Sequence, residues 1–374
     1  MIYLDNAATS FIKPKSVKMA VINAMEKLTA NPGRSGHKQS QDVAQIVFDT
    51  REKIKEFFNA KTHDVIFTKN CSEALNLAIL GTVKNGDHVI TTCYEHNSVL
   101  RVLEHLKSKD VQVTILDCDL ADFSCQFESE IKANTRMIIT NGVSNVTGEV
   151  CDIKQVSEIC KKHNLIYLVD GAQMCGHLEV DIDEFGIDML AFAGHKGLLG
   201  ITGVGGLVVS QKINLNPIMF GGTGTESENP IQPTTIPEGM EVGTLPTISI
   251  VSLGAGVDFL NKNFKNLLKI EEKLSKYVYF QLKNLNFIEI YSKPTSCNVV
   301  SFNIKNQDSM VVANELNSCG ICVRSGLHCA PLIHKKLGTI KQGAIRVSLD
   351  FNNTEKDIDY LIFALKKIND KLSF

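Results

Sequence analysis

The sequence lacks an excess of charge of either sign, a long apolar run and a secretory signal. Its formal net charge is -2, so the chain has no strong overall field that would attract nucleic acid or an anionic membrane. No apolar run approaches the ~20 residues that span a bilayer. The first residues also lack a basic segment followed by an apolar stretch. We therefore expect a cytoplasmic protein that binds neither nucleic acid nor a membrane.

Arginine is scarce, with 6 arginines against 33 lysines among the 39 basic residues. A site that binds a carboxylate through two parallel hydrogen bonds favours arginine, because the guanidinium group is planar. Arg346 lies in the apolar run Ala344–Ser348, where an unpaired guanidinium is unfavourable, so it needs an anion. That anion is either a substrate carboxylate or an acidic residue of the small domain in a structural salt bridge.

The cysteines follow neither a disulfide pattern nor a zinc pattern. There are 11 of them, an odd and scattered set, which without a secretory signal indicates reduced thiols. Cys319 and Cys322 form a CxxC, but no second CxxC or histidine pair completes the spacing of a zinc site. We predict no metal, and Cys322 fits the apolar strand Ile321–Val323.

Seven short apolar runs, rich in β-branched residues, alternate with helical patterns over the first two thirds of the chain. Such runs predict a mainly parallel sheet that is covered by helices on both faces, and hence an α/β fold. The predicted strands are Val65–Thr68, Val89–Thr92, Val111–Leu116, Met137–Thr140, Ile166–Val169, Met189–Phe192 and Leu207–Val209.

The pattern changes near residue 250. Glycine and proline cluster over Gly221–Pro246, a stretch so long and irregular that it is either functional or packed against something else. Beyond it we predict a helix of about 25 residues, then strands and helices of a smaller α+β domain. The predicted division is a large domain at 15–250 and a small C-terminal domain at 251–374. Residues 1–14 would pack with the small domain.

Polar residues follow several predicted strands, at the edge where open α/β sheets bind ligands. Ser72 begins a helix, whose free N–H groups and dipole favour an anion; alternatively, Ser72 or Asn70 only caps that helix. Asp170 follows Ile166–Val169 and needs a partner such as a protonated pyridine nitrogen, or else caps the next helix. His96, after another strand, could stack on a flat ring or simply begin a helix.

Lys196 lies in the glycine-rich turn Ala193–Gly197, just beyond a strand. Desolvation there would lower its pKa and free the amine for a Schiff base, although a lone loop lysine is usually solvated. Together with Asp170 and the helix start at Ser72, Lys196 predicts one crevice with partners for an aldehyde, a ring nitrogen and a phosphate.

A second candidate site lies in the loop Arg324–Pro331. Positive neighbours lower the pKa of a thiol from ~8.5, so Arg324 and His328 are predicted to favour the thiolate of Cys329. Arg324 could instead anchor the backbone of the loop.

Together these segments resemble the class V aminotransferase family of fold-type I pyridoxal-5′-phosphate (PLP) enzymes, and within it the cysteine desulfurase and selenocysteine lyase branch. The resemblance runs from Tyr3 to Ser348 and rests on Gly-His-Lys at 194–196 and R-x-G-x-H-C-A at 324–330. It implies a large domain with a seven-stranded sheet and a homodimer. It further implies that L-cysteine, or L-selenocysteine, is converted to L-alanine, and that the sulfur passes through a persulfide to an acceptor, which could be a protein. The alternatives are selenocysteine lyase, another class V activity such as transamination or β-elimination, and a non-catalytic sulfur carrier.

The resemblance also implies roles for individual residues. Lys196 would hold the cofactor as a Schiff base and move protons, His96 would stack on the ring, and Cys329 would take the sulfur. Asn145 and Arg346 would bind the substrate carboxylate. The other implied cofactor contacts are Asp170 at the pyridine nitrogen, Gln173 at the ring hydroxyl, and Cys71 (backbone), Ser72, His195 and, from the partner subunit, Thr244 at the phosphate.

The sequence departs from the family at four positions. Ala193 stands where many relatives have serine or threonine, so one phosphate hydroxyl is missing, and Cys71 stands where threonine is common. Leu327 replaces the first histidine of a His-His-Cys sequence, and Pro246 stands near a common asparagine. None of these changes removes a group that the implied reaction requires.

Overall fold

The computed structural model describes residues 1–33, 35–118, 124–294 and 297–372. Its strands, in chain order, are β1 (Ile2–Tyr3), β2 (His63–Thr68), β3 (His88–Thr92), β4 (Gln112–Leu116), β5 (Thr135–Asn141), β6 (Ile166–Asp170), β7 (Met189–Ala193), β8 (Gly205–Ser210), β9 (Ile288–Ile290), β10 (Val299–Ile304), β11 (Ile321–Cys322) and β12 (Ile345–Ser348). Its α-helices are α1 (Lys15–Lys27), α2 (Lys38–Phe57), α3 (Cys71–Leu80), α4 (Asn97–Lys107), α5 (Ser124–Ser129), α6 (Ile153–His163), α7 (Ile182–Phe185), α8 (Thr247–Lys283), α9 (Ser309–Ser318), α10 (Pro331–Lys336) and α11 (Glu355–Leu372).

The main sheet has seven strands in the order β2-β8-β7-β6-β5-β3-β4. The pairs among β3 to β7 are parallel, and β8 is antiparallel to both β2 and β7. Separate apolar clusters cover the two faces of this sheet, which explains why its strands are almost continuously apolar. The predicted α/β fold with a mainly parallel seven-stranded sheet is confirmed.

The long helix α8 joins two hydrophobic cores. Its first half packs Leu253 and Val257 into the core of the main sheet, and its second half packs Leu274 and Val278 into a smaller core. The helix has 37 residues, so the prediction of about 25 was wrong, because the polar stretch between its two apolar halves hides their continuity. The predicted boundary at residue 250 lies in the first turn of α8, and the division at this residue stays a prediction.

The smaller core surrounds the antiparallel sheet β12-β10-β9. The N-terminal segment contributes to it, since β1 pairs in parallel with β11 and Leu4 is fully buried there. Asp5 forms an isolated bridge with Ser348. These contacts bring the beginning of the chain beside β12, and the next residues then run toward the carboxyl edge of the main sheet. No helix among the described residues is long and apolar enough to cross a bilayer.

Candidate active site

A pocket opens at the carboxyl ends of the parallel strands, and most of the predicted site residues line it. Of the eleven, nine line the pocket: Cys71, Ser72, His96, Asn145, Asp170, Gln173, His195, Lys196 and Arg346. Cys329 lines an adjoining groove that shares Ser72, His96 and Ser98 with the pocket. Thr244 lies elsewhere on the surface of this chain, 3.5 Å from the amide nitrogen of Asn31.

The start of α3 forms one end of the pocket. Its cap is Asn70, whose side-chain oxygen accepts a hydrogen bond from Glu73 N at 3.0 Å. The hydroxyl of Ser72 is therefore not needed as a cap, and it lies 2.6 Å from the hydroxyl of Ser98. The unpaired N–H groups of a first helical turn and these two hydroxyls suit a phosphate.

Asp170 is buried at the end of β6. One carboxylate oxygen accepts hydrogen bonds from Ala172 N at 2.9 Å and from the thiol of Cys71 at 3.4 Å. The segment that follows Asp170 is a turn and not a helix, so the idea that Asp170 caps the next helix was wrong. Its side chain lines the pocket with Lys196, where a buried carboxylate suits a cationic ligand group.

Lys196 lies in the turn after β7, with its amine surrounded by protein. Desolvation lowers its pKa, and the positive charges of Arg346 and Arg324 lower it further, while Cys71 and Asp170 oppose the shift. A lysine with a lowered pKa has a larger fraction of free, nucleophilic amine at neutral pH. The environment of Lys196 therefore suits a Schiff base.

The N-terminal segment clamps the turn that carries Lys196, which the sequence analysis did not foresee. The carbonyl of His195 accepts hydrogen bonds from Lys13 Nζ at 2.9 Å, Ser10 Oγ at 3.1 Å and Thr9 Oγ1 at 3.2 Å. The imidazole of His195 lies 3.0 Å from the same threonine hydroxyl, and burial lowers its pKa to about 4. No local motif marks these contacts, because the partners are more than 180 residues apart.

His96 lies at both of the places that the sequence analysis offered as alternatives, the start of a helix and the wall of the pocket. Its Nδ1 accepts a hydrogen bond from Ser98 N at 3.0 Å and so caps α4. Its ring also lines the pocket. Burial lowers its pKa, so the imidazole is neutral and suits contact with a flat ring.

Arg346 is almost fully buried in β12 and makes a salt bridge, but its partner is a residue of the N-terminal segment and not of the small domain, as the alternative in the sequence analysis had it. Its Nη2 lies 2.8 Å from Asp5 Oδ1, and its Nη1 donates to the carbonyl of Asn145 at 3.1 Å. The amide of Asn145 donates in turn to the carbonyl of His328 at 2.6 Å. The Asp5 carboxylate belongs to the N-terminal segment, and Arg346 still lines the pocket.

Buried polar atoms without a partner concentrate at this pocket. The described residues include nine such atoms, and five belong to residues that line it: Asn141 Oδ1, Asn145 Oδ1, Gln173 Oε1, His328 Nε2 and Arg346 Nε. Buried polar groups are nearly always hydrogen-bonded, and an unpaired one is unfavourable by about 1–3 kcal/mol. The pocket is therefore built for a polar ligand that supplies both donors and acceptors.

Cys329 lies at the mouth of the pocket. The backbone of His328 and Cys329 is in the left-handed region, with φ angles of 51° and 58°. Asn97 N donates a hydrogen bond to the carbonyl of Cys329 at 2.7 Å. The thiol is 3.9 Å from Arg324 Nη2 and faces a groove along α4 that also contains Arg101. The thiol of Cys329 therefore lies between the pocket and the surface of the protein.

The expectation that His328 supports the thiolate was wrong. His328 is buried, and desolvation followed by the charge of Arg346 holds its pKa well below the usual range. It is thus neutral, and of the two predicted cationic neighbours only Arg324 carries a positive charge. Of the CxxC residues, Cys319 lies at the end of α9 and Cys322 in β11, and neither lines the pocket or the groove that contains Cys329.

Comparisons with known proteins identify the family of this chain. Residues 2–361 match the family described as aminotransferase class-V. A probable cysteine desulfurase of Methanothermobacter thermautotrophicus is 34% identical over 379 residues, which cover 98% of this chain and 94% of the relative. One of Pyrococcus abyssi is 33% identical, over 98% of this chain and 94% of the relative.

A solved structure has the same fold. The apo structure of a cysteine desulfurase from Thermococcus onnurineus superimposes with a TM-score of 0.90 at 30% identity, over 99% of this chain and 95% of that one. The resemblance that the sequence motifs carry is confirmed, and the chain belongs to the class V aminotransferase family.

Proposed function

We propose that this protein is a PLP-dependent cysteine desulfurase, which converts L-cysteine to L-alanine and takes the sulfur onto Cys329 as a persulfide. The observation that carries the proposal is the arrangement of Lys196, which faces Asp170 and the start of α3 in one pocket while Cys329 lies in the loop at its mouth. The relatives whose names describe this activity support it.

The residues of the pocket fit the cofactor. The Lys196 amine would bind the aldehyde, the Asp170 carboxylate the protonated ring nitrogen, and the unpaired Gln173 Oε1 the ring hydroxyl. Ser72, His195 and the first turn of α3 would hold the phosphate, and His96 would lie against the ring. When bound, PLP withdraws electrons from the Cα atom of an amino acid.

The chain's own groups would then divide the work. Arg346 and an amide N–H of Asn145 would bind the carboxylate of the amino acid and so orient it in the pocket. The freed Lys196 amine would take and return the proton at Cα. The Cys329 thiolate would attack the substrate sulfur, so that an S–S bond forms as the C–S bond breaks. The electron pair of that bond stays on carbon, which gains a proton and leaves as part of alanine.

Product analysis tests the proposal. Purified enzyme with L-cysteine and a reducing thiol should release alanine and sulfide in equal amounts, and L-selenocysteine should be compared under the same conditions. A β-elimination would yield pyruvate in place of alanine, and a transamination would yield a keto acid with no sulfide. A protein that stays colourless with added PLP and forms no product would instead be a non-catalytic sulfur carrier.

Arg346→Lys should raise the KM for L-cysteine strongly, by roughly tenfold or more, because lysine keeps the charge but loses the planar fork. The absorbance spectrum of the bound cofactor should stay unchanged. Steady-state kinetics and spectra of the two proteins provide the measurement. Since Arg346 also pairs with Asp5, an Asp5→Asn variant controls for the loss of that ion pair. Equal KM values for wild type and Arg346→Lys would contradict the carboxylate role.

We also propose a homodimer in which Thr244 contributes to the partner's pocket. The stretch before α8 is held at one end by Glu241, which forms a two-point ion pair with Arg51 at 2.5 and 2.7 Å. It exposes Phe220 at 75% and Ile231 at 72%, and α2 exposes Phe48 at 55%. Exposed apolar side chains beside an ordered, irregular segment are typical of an interface.

Sedimentation at micromolar concentration should show twice the chain mass of 41.2 kDa, and Phe48→Glu should shift the protein toward monomer with loss of activity. The matched control is Phe280→Glu, because Phe280 is similarly exposed, at 52%, but lies on α8. Phe48 lines a cavity together with Gly243, the residue before Thr244, and Phe280 does not line that cavity. A fully active monomer would rule out a site completed by the partner.

A further inference from the structure

Three buried side chains beside Cys329 form a hydrogen-bonded chain that ends at the pocket. His328 Nδ1 lies 3.3 Å from His334 Nε2, and His334 Nδ1 lies 2.7 Å from the hydroxyl of Thr339. All three residues are at most 3% exposed. His328 lines the pocket, and its Nε2 has no partner among the described residues. The chain thus presents one unpaired imidazole nitrogen to whatever the pocket binds.

The hydroxyl of Thr339 sets the direction of the hydrogen bonds. It donates to the carbonyl of His334 at 3.4 Å, so its oxygen is left to accept from His334 Nδ1–H. His334 Nε2 then carries a lone pair and accepts from Nδ1–H of His328. This order leaves the lone pair of His328 on Nε2.

The opposite direction is less favourable for two reasons. It would remove the bond from the Thr339 hydroxyl to the His334 carbonyl, and it would leave a buried N–H of His328 without an acceptor. Orphaned buried N–H groups are rarer than unpaired acceptors. The guanidinium of Arg346, whose charge acts strongly on His328, also favours a lone pair over an N–H at this position.

The charges around His328 keep the ring neutral. Arg346 and Arg324 both line the pocket with it, and burial lowers the pKa of the adjacent His334 to about 4. Desolvation and these charges hold the pKa of His328 well below its usual range. His328 therefore acts as a hydrogen-bond acceptor rather than as a general acid.

We propose that His328 is a further substrate-binding residue whose Nε2 accepts a hydrogen bond from the amino acid, with His334 and Thr339 as positioning residues that fix its tautomer. This inference rests on the proposed function, because the donor belongs to the amino acid whose carboxylate Arg346 would bind. Asn145 donates a hydrogen bond to the carbonyl of His328. His328 therefore lies on the same wall of the pocket as Asn145 and Arg346, the residues that would bind the carboxylate. The donors that such a substrate offers are its α-ammonium N–H and its thiol S–H.

A pair of variants at Thr339 tests the chain without touching the substrate. Thr339→Val removes the hydroxyl with little change of shape, and Thr339→Ser keeps it. One hydrogen bond corresponds to roughly fivefold in binding, so we expect the valine holoenzyme to have a KM for L-cysteine that is about fivefold higher, with kcat unchanged. The serine holoenzyme should resemble wild type. If Thr339 had only a structural role, the valine variant would lose kcat and stability, and its KM would not rise while kcat stayed unchanged.

Nitrogen NMR of the histidine side chains reads the tautomer independently of activity. The Nε2 signal of His328, assigned with a His328→Asn variant, should be of the acceptor type in wild type and Thr339→Ser and mixed in Thr339→Val. An Nε2–H signal in wild type would overturn the inference, and so would an unchanged KM in Thr339→Val. Neither result would affect the proposed function, which fails separately if no alanine forms from L-cysteine.

The binding of L-alanine identifies the donor. Alanine shares the ammonium group with cysteine but has no thiol, and its binding to the holoenzyme can be followed by cofactor absorbance. Weaker binding of both amino acids to Thr339→Val assigns the hydrogen bond to the ammonium, and weaker binding of cysteine alone assigns it to the thiol. Either result supports an acceptor at His328.

Discussion

Lys196→Ala should lower the rate of alanine formation from L-cysteine by roughly 10²–10⁴-fold or more. This is the range that a positioned acid–base group contributes. The loss follows from the position of the amine, which is desolvated in the pocket with Asp170 and has a lowered pKa. Among the described residues that line the pocket, Lys196 is the one lysine, so no second amine there can replace it at both the aldehyde and the Cα proton. Coupled assays for alanine, run with added PLP, measure the effect.

The covalent role of Lys196 can be separated from its acid–base role. Borohydride treatment of the holoenzyme should trap the cofactor on the peptide that contains Lys196, and the adduct should be absent in Lys196→Ala. Lys13 is the informative comparison, because it binds the carbonyl of His195 and burial lowers its pKa to about 8. Lys13→Met should retain the adduct at Lys196. An adduct on Lys13 or any other lysine would refute the assignment.

The sequence predicted the strands of the main sheet well, because both faces of this sheet are buried and its strands are therefore almost wholly apolar. It also placed Asp170 and Lys196 at one edge, since parallel strands share their carboxyl ends. The antiparallel direction of β8 was not predicted, because an apolar run has no direction. The length of α8 was underestimated, because the helix crosses from one core to another through a polar middle.

The details of the site depend on contacts that no local pattern records. The clamp on His195 joins the N-terminal segment to a turn more than 180 residues later in the chain, and the neutral state of His328 follows from burial and from the charge of Arg346. The sequence showed a histidine beside a cysteine, which favours a thiolate only when the histidine is charged. The pairing of Arg346 with Asp5 likewise depends on the N-terminal segment reaching β12.

Cys329→Ser should remove the persulfide and lower sulfide release by at least about 10²-fold, because a serine hydroxyl at this position cannot act as a sulfur nucleophile. The structure favours Cys329 over the other cysteines by its place. Six are buried, namely Cys71, Cys93, Cys118, Cys151, Cys160 and Cys175, and burial raises the pKa of each. Cys329 is partly exposed in the groove that adjoins the pocket.

Among the described residues, the other partly exposed cysteines are Cys297 and the two cysteines of the CxxC. Burial raises the pKa of Cys297 to about 12, so the CxxC pair, whose spacing could accept sulfur or form a disulfide, remains as the main competitor. The experiment mixes holoenzyme with less than one equivalent of L-cysteine, blocks free thiols and locates the additional sulfur by peptide mass. We expect the added mass on the peptide that contains Cys329 in wild type and in a Cys319→Ser/Cys322→Ser control, and no added mass in Cys329→Ser. Sulfur on Cys319 or Cys322, or full sulfide release by Cys329→Ser, would show that the nucleophile lies elsewhere. If Cys329→Ser still turned over the amino acid without sulfur transfer, the reaction would be a different PLP reaction. In that variant Lys196 and Asp170 are intact, and the one thiol that the described residues place at the mouth of the pocket is gone.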